Sequence, residues 1–420
     1  MRMNTILAKI AMTVMLLALA LPAAASDYTL EIFGNANEDD TINMQDVTYT
    51  ELIILEYRDK TELADAKYDG KINMQDVTQI ELVILGKEKE MTLVDDIGEA
   101  VTVKKPIESF VYHGHNAYVY ETLRAIDAAD KIVGVSDRFV TEGRCRYSEN
   151  YFPELIGVTN IGVLNTPDYE VVNALRPDVV LSDEERYYDR IKTPDIPVIA
   201  MDVKMEQFTE NTMKYGYLFD RRDEAEEYID WRNGLASMVR ERTEELTDDE
   251  RPLVYFGATY TPGSATTPIY AEYRGALVRL AGGKNLGDEL PGAVGYNTVD
   301  PEWIIVRNPD VAIFAAGNTY CGYDIDDTSA MAEFRADFLN SPNFAEVNAV
   351  VGERVYIINF PHFVVGGASG MLASVYFAKW LYPDLFEDMD PQEIQQEFVT
   401  EFQHIDVDIK EDGTFVYPVL

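Results

Sequence analysis

Between residues 222 and 246 the chain has one glycine and no proline. Ala225, Tyr228, Ile229, Trp231, Leu235, Met238 and Val239 keep helical spacing through it. Asp220 stands where a cap would open the helix, and Pro252 follows its end. On both sides, short apolar runs alternate with helical stretches. Before it, strands are expected at 107–112, 132–135, 179–181 and 198–201, with helices at 118–128 and 170–175. After it come strands at 253–256, 311–315 and 355–358, with helices near 273–281 and 331–339. Such alternation implies α/β architecture with mainly parallel sheets. The expected body is therefore two Rossmann-like lobes, 91–221 and 252–400, joined by one long helix at 222–247. A hairpin at 91–103 would open the first lobe, and 401–420 reads as a C-terminal tail.

The charge balance narrows the partners. Thirty-five basic residues against 74 acidic ones leave a net charge of −39, a surface that repels phosphate backbones and disfavours nucleic acid. Arg2 and Lys9 precede an apolar run at 10–20, which is followed by Leu21-Pro22-Ala23-Ala24-Ala25-Ser26. That order reads as a signal peptide over 1–25, cut after Ala25. The apolar run is short of the roughly 20 residues a membrane span needs. No cysteine stands at the cleavage site to carry a lipid, so the mature chain is expected outside the cytoplasm: extracellular, at the cell surface or periplasmic. Export permits one disulfide between Cys145 and Cys321, which fall in different lobes; whether it forms stays open.

A repeat occupies residues 27–90. Ile42-Asn43-Met44-Gln45-Asp46-Val47-Thr48 recurs as Ile72-Asn73-Met74-Gln75-Asp76-Val77-Thr78, each copy running into an apolar helix. Oxygen-bearing residues fall at alternate positions of a 12-residue loop before each helix. In the first loop they are Asn35, Asn37, Asp39, Thr41 (through its carbonyl), Asn43 and Asp46. In the second they are Asp65, Asp69, Asn73 and Asp76, with the Lys71 carbonyl. Positions 1, 3, 5, 7, 9 and 12 of such a loop converge on one calcium ion. The segment resembles a dockerin, a small all-α module of paired EF-hand-like loops. The resemblance implies bound Ca2+ and a cohesin-like anchoring partner. Asp40 replaces the usual turn glycine in the first loop, and Lys67 replaces a ligand in the second. The first loop is therefore expected to bind more tightly.

The body carries a second resemblance. Tyr169-Glu170-Val171-Val172-Asn173-Ala174-Leu175-Arg176-Pro177-Asp178-Val179 has its counterpart in Val299-Asp300-Pro301-Glu302-Trp303-Ile304-Ile305-Val306-Arg307-Asn308-Pro309-Asp310-Val311. Each unit is a glutamate, a short helix, Pro-Asp and a strand, one per lobe. Their order around the long helix resembles the substrate-binding proteins of ABC importers for iron-siderophore complexes, haem and vitamin B12. The resemblance implies a non-catalytic, monomeric protein that delivers an iron chelate or a corrinoid to permease subunits in the membrane. It also implies that Glu170 and Glu302 dock onto the permease.

Ligands of open α/β lobes bind beyond the carboxyl ends of the strands. There the sequence places Tyr112, His113, His115, Tyr118, Arg138, Arg144, Arg146 and Arg186 in the first lobe, and Tyr260, Tyr296, Tyr320 and His362 in the second. Aromatic rings suit a large flat chelate, and arginines an anionic one. His113, His115 and His362 are three of only four histidines. They either ligate a metal or are plain hydrogen-bonded loop residues, and no acidic neighbour in sequence orients His113 or His115. A bare zinc or manganese ion would need three or four such ligands in one small cleft. No nucleophile elbow, P-loop, zinc-protease or dinucleotide motif is present, so nothing points to catalysis.

Overall fold

Asn43 and Asn73 open the two helices of the N-terminal unit, α1 (Met44–Ile54) and α2 (Met74–Ile84). In the computed structural model, which describes residues 28–140, 150–184, 188–189, 192–323, 325–363 and 366–419, each asparagine is extended. Its side chain accepts from the residue two places on, Gln45 or Gln75. Asp46 and Asp76 reach back 2.8 Å to the amides of Asn43 and Asn73, closing a capping box at both helices. A cap of this kind stabilises a helix by about 1 kcal/mol. The repeat buries equivalent positions, Val47 and Ile53 in one helix, Val77 and Val83 in the other. This unit ends at residue 93, and the second spans residues 94–420.

In the second unit, Asp95 accepts from the amides of Ile97 and Glu99 and shapes the turn expected within the hairpin. The first lobe follows with β1 (Phe110–His113), α3 (Ala117–Ala125), β2 (Ile132–Val135), β3 (Thr159–Asn160), α4 (Tyr169–Leu175), β4 (Val179–Ser182) and β5 (Val198–Ala200). The five strands are parallel, in the order β3-β2-β1-β4-β5. Every residue of β1, β4 and β5 is buried, as expected where helices cover both faces of a parallel sheet.

Helix α5 (Phe208–Phe219) leads into α6 (Arg222–Thr243), the long connector. Its 22 residues span about 33 Å. Asp220 does not cap it. Only Asp220 and Arg221 separate the two helices, so Asp220 must turn the chain and adopts a left-handed backbone with φ 58° at the end of α5. Its carboxylate pairs with Lys105 at 2.7 Å instead.

The second lobe contains β6 (Leu253–Gly257), β7 (Thr267–Tyr270), α7 (Glu272–Leu280), β8 (Lys284–Asn285), β9 (Tyr296–Val299), α8 (Pro301–Arg307), β10 (Val311–Ala316), α9 (Ser329–Leu339), β11 (Val355–Asn359), α10 (Gly367–Leu381) and β12 (Val416–Tyr417). Strands β8-β6-β10-β11 are parallel, and β7 and β9 form a separate antiparallel pair. The segment expected as a tail is built into this lobe: β12 pairs antiparallel with β11. Gln403 also donates to the Glu121 carbonyl of α3 at 3.2 Å.

Candidate functional site

The sheet register of the first lobe assembles a polar cluster. His113 lies beside Ser182, and Ser182 beside Ala200. The residues just past these strand ends, His115, Asp183 and Asp202, therefore share the carboxyl edge of the sheet. Asp183 is fully buried, and its Oδ2 accepts from the amides of His115 and Asn116, both at 2.8 Å, and from the Tyr112 hydroxyl at 3.2 Å. The same oxygen lies 3.1 Å from His115 Nδ1. Burial alone would raise this carboxyl, but the contact with His115 and the two amides outweigh it and hold its pKa below the usual value. An acidic group does orient His115 after all. It is 68 residues away in sequence, and parallel pairing of β1 with β4 brings it there. The other ring nitrogen of His115 faces Glu184 Oε1 at 3.9 Å.

Asp202 and Lys204 continue the cluster, with Nζ 2.7 Å from Oδ2. Burial pushes Asp202 up to about 6, against the pull of Lys204. Tyr118 donates to Asp202 at 3.3 Å. The Tyr118 ring also marks where the lobes meet. A Cβ on Gly366 would stand 3.1 Å from it and one on Gly367 only 2.9 Å from the Tyr118 Cβ, and both glycines have positive φ, so glycine is required for α10 to begin there. Asp183 opens a loop that the sequence already places at the cleft without singling the residue out, whereas Asp202 and Lys204 escape it. Asp183 and Asp202 lie one and two residues past their strands, a position the strand-end rule covers.

Other expected site residues fall differently. His113 is buried, with Nε2 2.9 Å from the Leu164 carbonyl and its ring against Tyr188. Burial pushes it down to about 4, leaving a neutral imidazole inside the lobe. His362 is not on a cleft surface either. Tyr151, Tyr323, Phe363, Phe398 and Phe415 enclose it, and neither ring nitrogen has a hydrogen-bond partner among the described residues. It sits one turn past β11 in a short buried helix, where the aromatic core outcompetes solvent. Tyr260 is buried and donates to Ser341 at 3.0 Å, and Tyr320 packs on Phe334. Tyr296 stays exposed, 5.9 Å from the Tyr270 ring. Arg138 is half-buried in the short helix Asp137–Val140. Arg144, Arg146, Arg186 and Cys145 lie outside the described residues. Cys321 is a buried free thiol that burial pushes up to about 12.

Two cavities lie between the lobes. One, of about 860 Å3, is lined by Lys204 and Met205 of the first lobe, Arg232 of α6, and Glu272 and Tyr273 of α7. The other, of about 1050 Å3, lies among Arg124, Glu154, Tyr323, Gln403 and His404, and among the described residues none of the expected ligand residues lines either cavity. Beside it Glu121, which accepts from Tyr151 at 2.8 Å, is pushed up to about 7 by burial.

Two α/β lobes, one long connecting helix and cavities lined from both lobes make up the architecture of a two-lobed clamp. The sequence pattern of the periplasmic binding protein family matches residues 115–361, more than half of the chain, and the chain belongs to that family. The molybdate-binding protein MolA of Haemophilus influenzae is 22% identical over 349 residues, covering 74% of this chain and 90% of MolA. MolA with bound molybdate has the same fold, with a TM-score of 0.58 at 19% identity over 74% of this chain and 98% of MolA. So does the TroA-like binding protein FepB of Veillonella parvula, with a TM-score of 0.65 at 19% identity over 78% and 99% of the two chains. Helicobacter pylori CeuE in complex with Ni-His gives 0.56 at 18% identity over 77% and 97%. The family is one of binding proteins and not of enzymes.

Proposed function

We propose that this chain captures an iron(III)-siderophore-type chelate between its lobes and delivers it to the permease of an ABC importer; haem and cobalamin are the alternatives of similar bulk. The observation that carries this reading is the cavity of about 860 Å3 between the lobes, where Lys204 at the lining pairs with Asp202 of the strand-end cluster in which buried Asp183 holds His115. An imidazole braced by a carboxylate is poised to contact a metal centre or an acceptor on the cargo. A bare metal ion is less well served. Among the described residues no group of three or more His, Cys, Asp or Glu side chains is arranged to hold one. The likeness to MolA favours a second reading, a small oxyanion such as molybdate. Native mass spectrometry of the purified protein with ferric chelates, haem, cobalamin, molybdate and zinc separates these. Retention of a ferric chelate is expected, and retention of zinc alone would sink the reading.

The N-terminal unit supports a calcium site as part of the same proposal. Asn35 is fully buried and its Oδ1 has no partner, while its amide nitrogen donates to Leu30 and Asp39 carbonyls. An orphaned acceptor at the first loop position, beside the carboxylates of Asp39 and Asp46, fits a hard cation. In the second loop, both Asp65 oxygens already accept backbone amides, from Asp69 and Gly70. Calcium would thus be held by Asn35, Asn37, Asp39, Thr41, Asn43 and Asp46 first, and a cohesin-like partner would give the exported chain its anchor.

A further inference from the structure

The larger cavity, of about 1050 Å3, takes its wall from both lobes and from the segment after residue 402. Gly322 and Thr414 exchange backbone hydrogen bonds of 2.6 and 3.1 Å, which brings Tyr323 and Asp412 together at that wall. Among the described lining residues, six carry carboxylates and two are arginines. Both arginines are already committed, Arg124 to Glu154 at 2.5 Å and Arg221 to Glu224 at 3.8 Å. His404 lies 3.3 Å from Asp127. Asp130, Asp326, Asp406 and Asp412 are left in no ion pair among the described residues. Tyr323 adds a signal of a different kind. It is only 9% exposed, and its hydroxyl has no hydrogen-bond partner among the described residues. Its ring is fixed by stacking on Tyr151 and by the edge of Phe415, both at 4.7 Å. The charges that act on the hydroxyl are those of Glu121 and of Arg124, itself a lining residue.

A buried hydroxyl without a partner is costly, and an arriving ammonium group can donate to it. Concave walls also focus the field of surplus carboxylates into the space they enclose. A bare divalent ion does not suit them, because among the described residues no group of three or more His, Cys, Asp or Glu side chains is arranged to hold a metal. Carboxylates spread along a wall suit positive charges that are themselves spread along a chain. Between them Pro153, Ile156, Ile405 and Val407 offer apolar surface to methylene groups. We propose that this cavity is a second binding site, apart from the one lined by Lys204 and Arg232, and that it takes an aliphatic polyamine whose ammonium groups meet these aspartates and the Tyr323 hydroxyl. The site stands whichever cargo the lobes capture. Asp130 belongs to the first lobe and Asp326 to the second, so an occupant that reaches both would bridge the lobes.

Isothermal titration of the full chain at low salt with spermidine, putrescine and magnesium chloride tests this. Spermidine is expected to bind more tightly than putrescine or magnesium, because its charges are more numerous and further apart. D130N, D326N and D412N should each weaken it about threefold to fivefold, the scale of a solvent-exposed ion contact, and the triple variant by more than about tenfold. Y323F removes the hydroxyl and keeps the ring, and should weaken binding about fivefold. Raised salt should weaken the wild type as well. The whole chain is acidic, so D195N/D249N, two exposed aspartates outside the cavity, serves as the control and should bind spermidine as the wild type does. Circular dichroism melts check folding, and Y323F carries the test should the triple variant unfold. Affinity unchanged in the triple variant or in Y323F would overturn the site. A loss in D195N/D249N as large as in the triple variant would overturn it too, by showing that general negative charge holds the polyamine. Magnesium that matches spermidine and displaces it would overturn the ligand class, and a wild type that does not bind spermidine would overturn the whole proposal. None of these outcomes touches the reading of the chain as a solute-binding protein.

Discussion

His362 has the interior of an aromatic core for its surroundings, and Glu121 lies in the neighbouring junction with Tyr151. Burial shifts the two groups in opposite directions. The imidazole falls to about 3 and the carboxyl rises to about 7. For His362, the unfolded chain takes up a proton near pH 6.5 that the folded chain refuses. Stability is then lost as pH falls from 6.5 toward 3, at about 1.4 kcal/mol per pH unit. For Glu121, the unfolded chain releases its proton near pH 4.5 while the folded one keeps it to about 7, so stability falls as pH rises through that window. Urea unfolding at pH 5 and pH 8 should separate them. Relative to wild type, H362F gains most at pH 5 and E121Q gains most at pH 8. Equal gains for either variant at both pH values would show that its group does not titrate as described.

At the scale of elements, the duplicated loop and helix carry a calcium prediction. The same capping box opens both helices, yet only the first loop leaves a buried acceptor, Asn35 Oδ1, without a partner. D46A and N35A should abolish a calcium-dependent rise in melting temperature, whereas D76A should reduce it only in part. Each cap lost also costs about 1 kcal/mol in either helix, so the comparison is between melts with calcium and with chelator for the same variant. A shift that survives in D46A but vanishes in D76A would reverse the ranking. The repeated unit of the body behaves alike in both lobes. Asp168 and Asp300 cap α4 and α8, and Arg176 and Asn308 end them in the left-handed region at φ 51°. Both helices are seven residues long and place an exposed glutamate at the second position.

Over the whole molecule, that correspondence puts Glu170 on one lobe and Glu302 on the other, with neither in an ion pair among the described residues. If Glu170 and Glu302 dock onto a permease, one carboxylate per lobe would let that partner sense how the lobes stand to each other through two ion contacts. In an uptake assay the double variant E170A/E302A should transport nothing while binding cargo with wild-type affinity. A loss of affinity would instead assign these residues to the cleft. Much of the architecture could be read from local pattern alone. Period and punctuation placed the connecting helix and the main strands to within a few residues, because burial on both faces of a parallel sheet leaves continuous apolar runs. The duplicated loops and paired Glu-helix-Pro-Asp units were equally legible, since their order survives in one dimension. Contacts across long sequence separations were not. Only parallel pairing of β1 with β4 sets Asp183 beside His115, and only packing of α10 and the segment after residue 398 encloses His362. Ion pairs follow the same rule. The composition shows that cations and carboxylates are present, but which ones meet, as Lys204 and Asp202 do beside the cavity, depends on where each lands in space. Sequence order thus determined the elements and their succession, and the fold alone decided which charges remain for a ligand to meet.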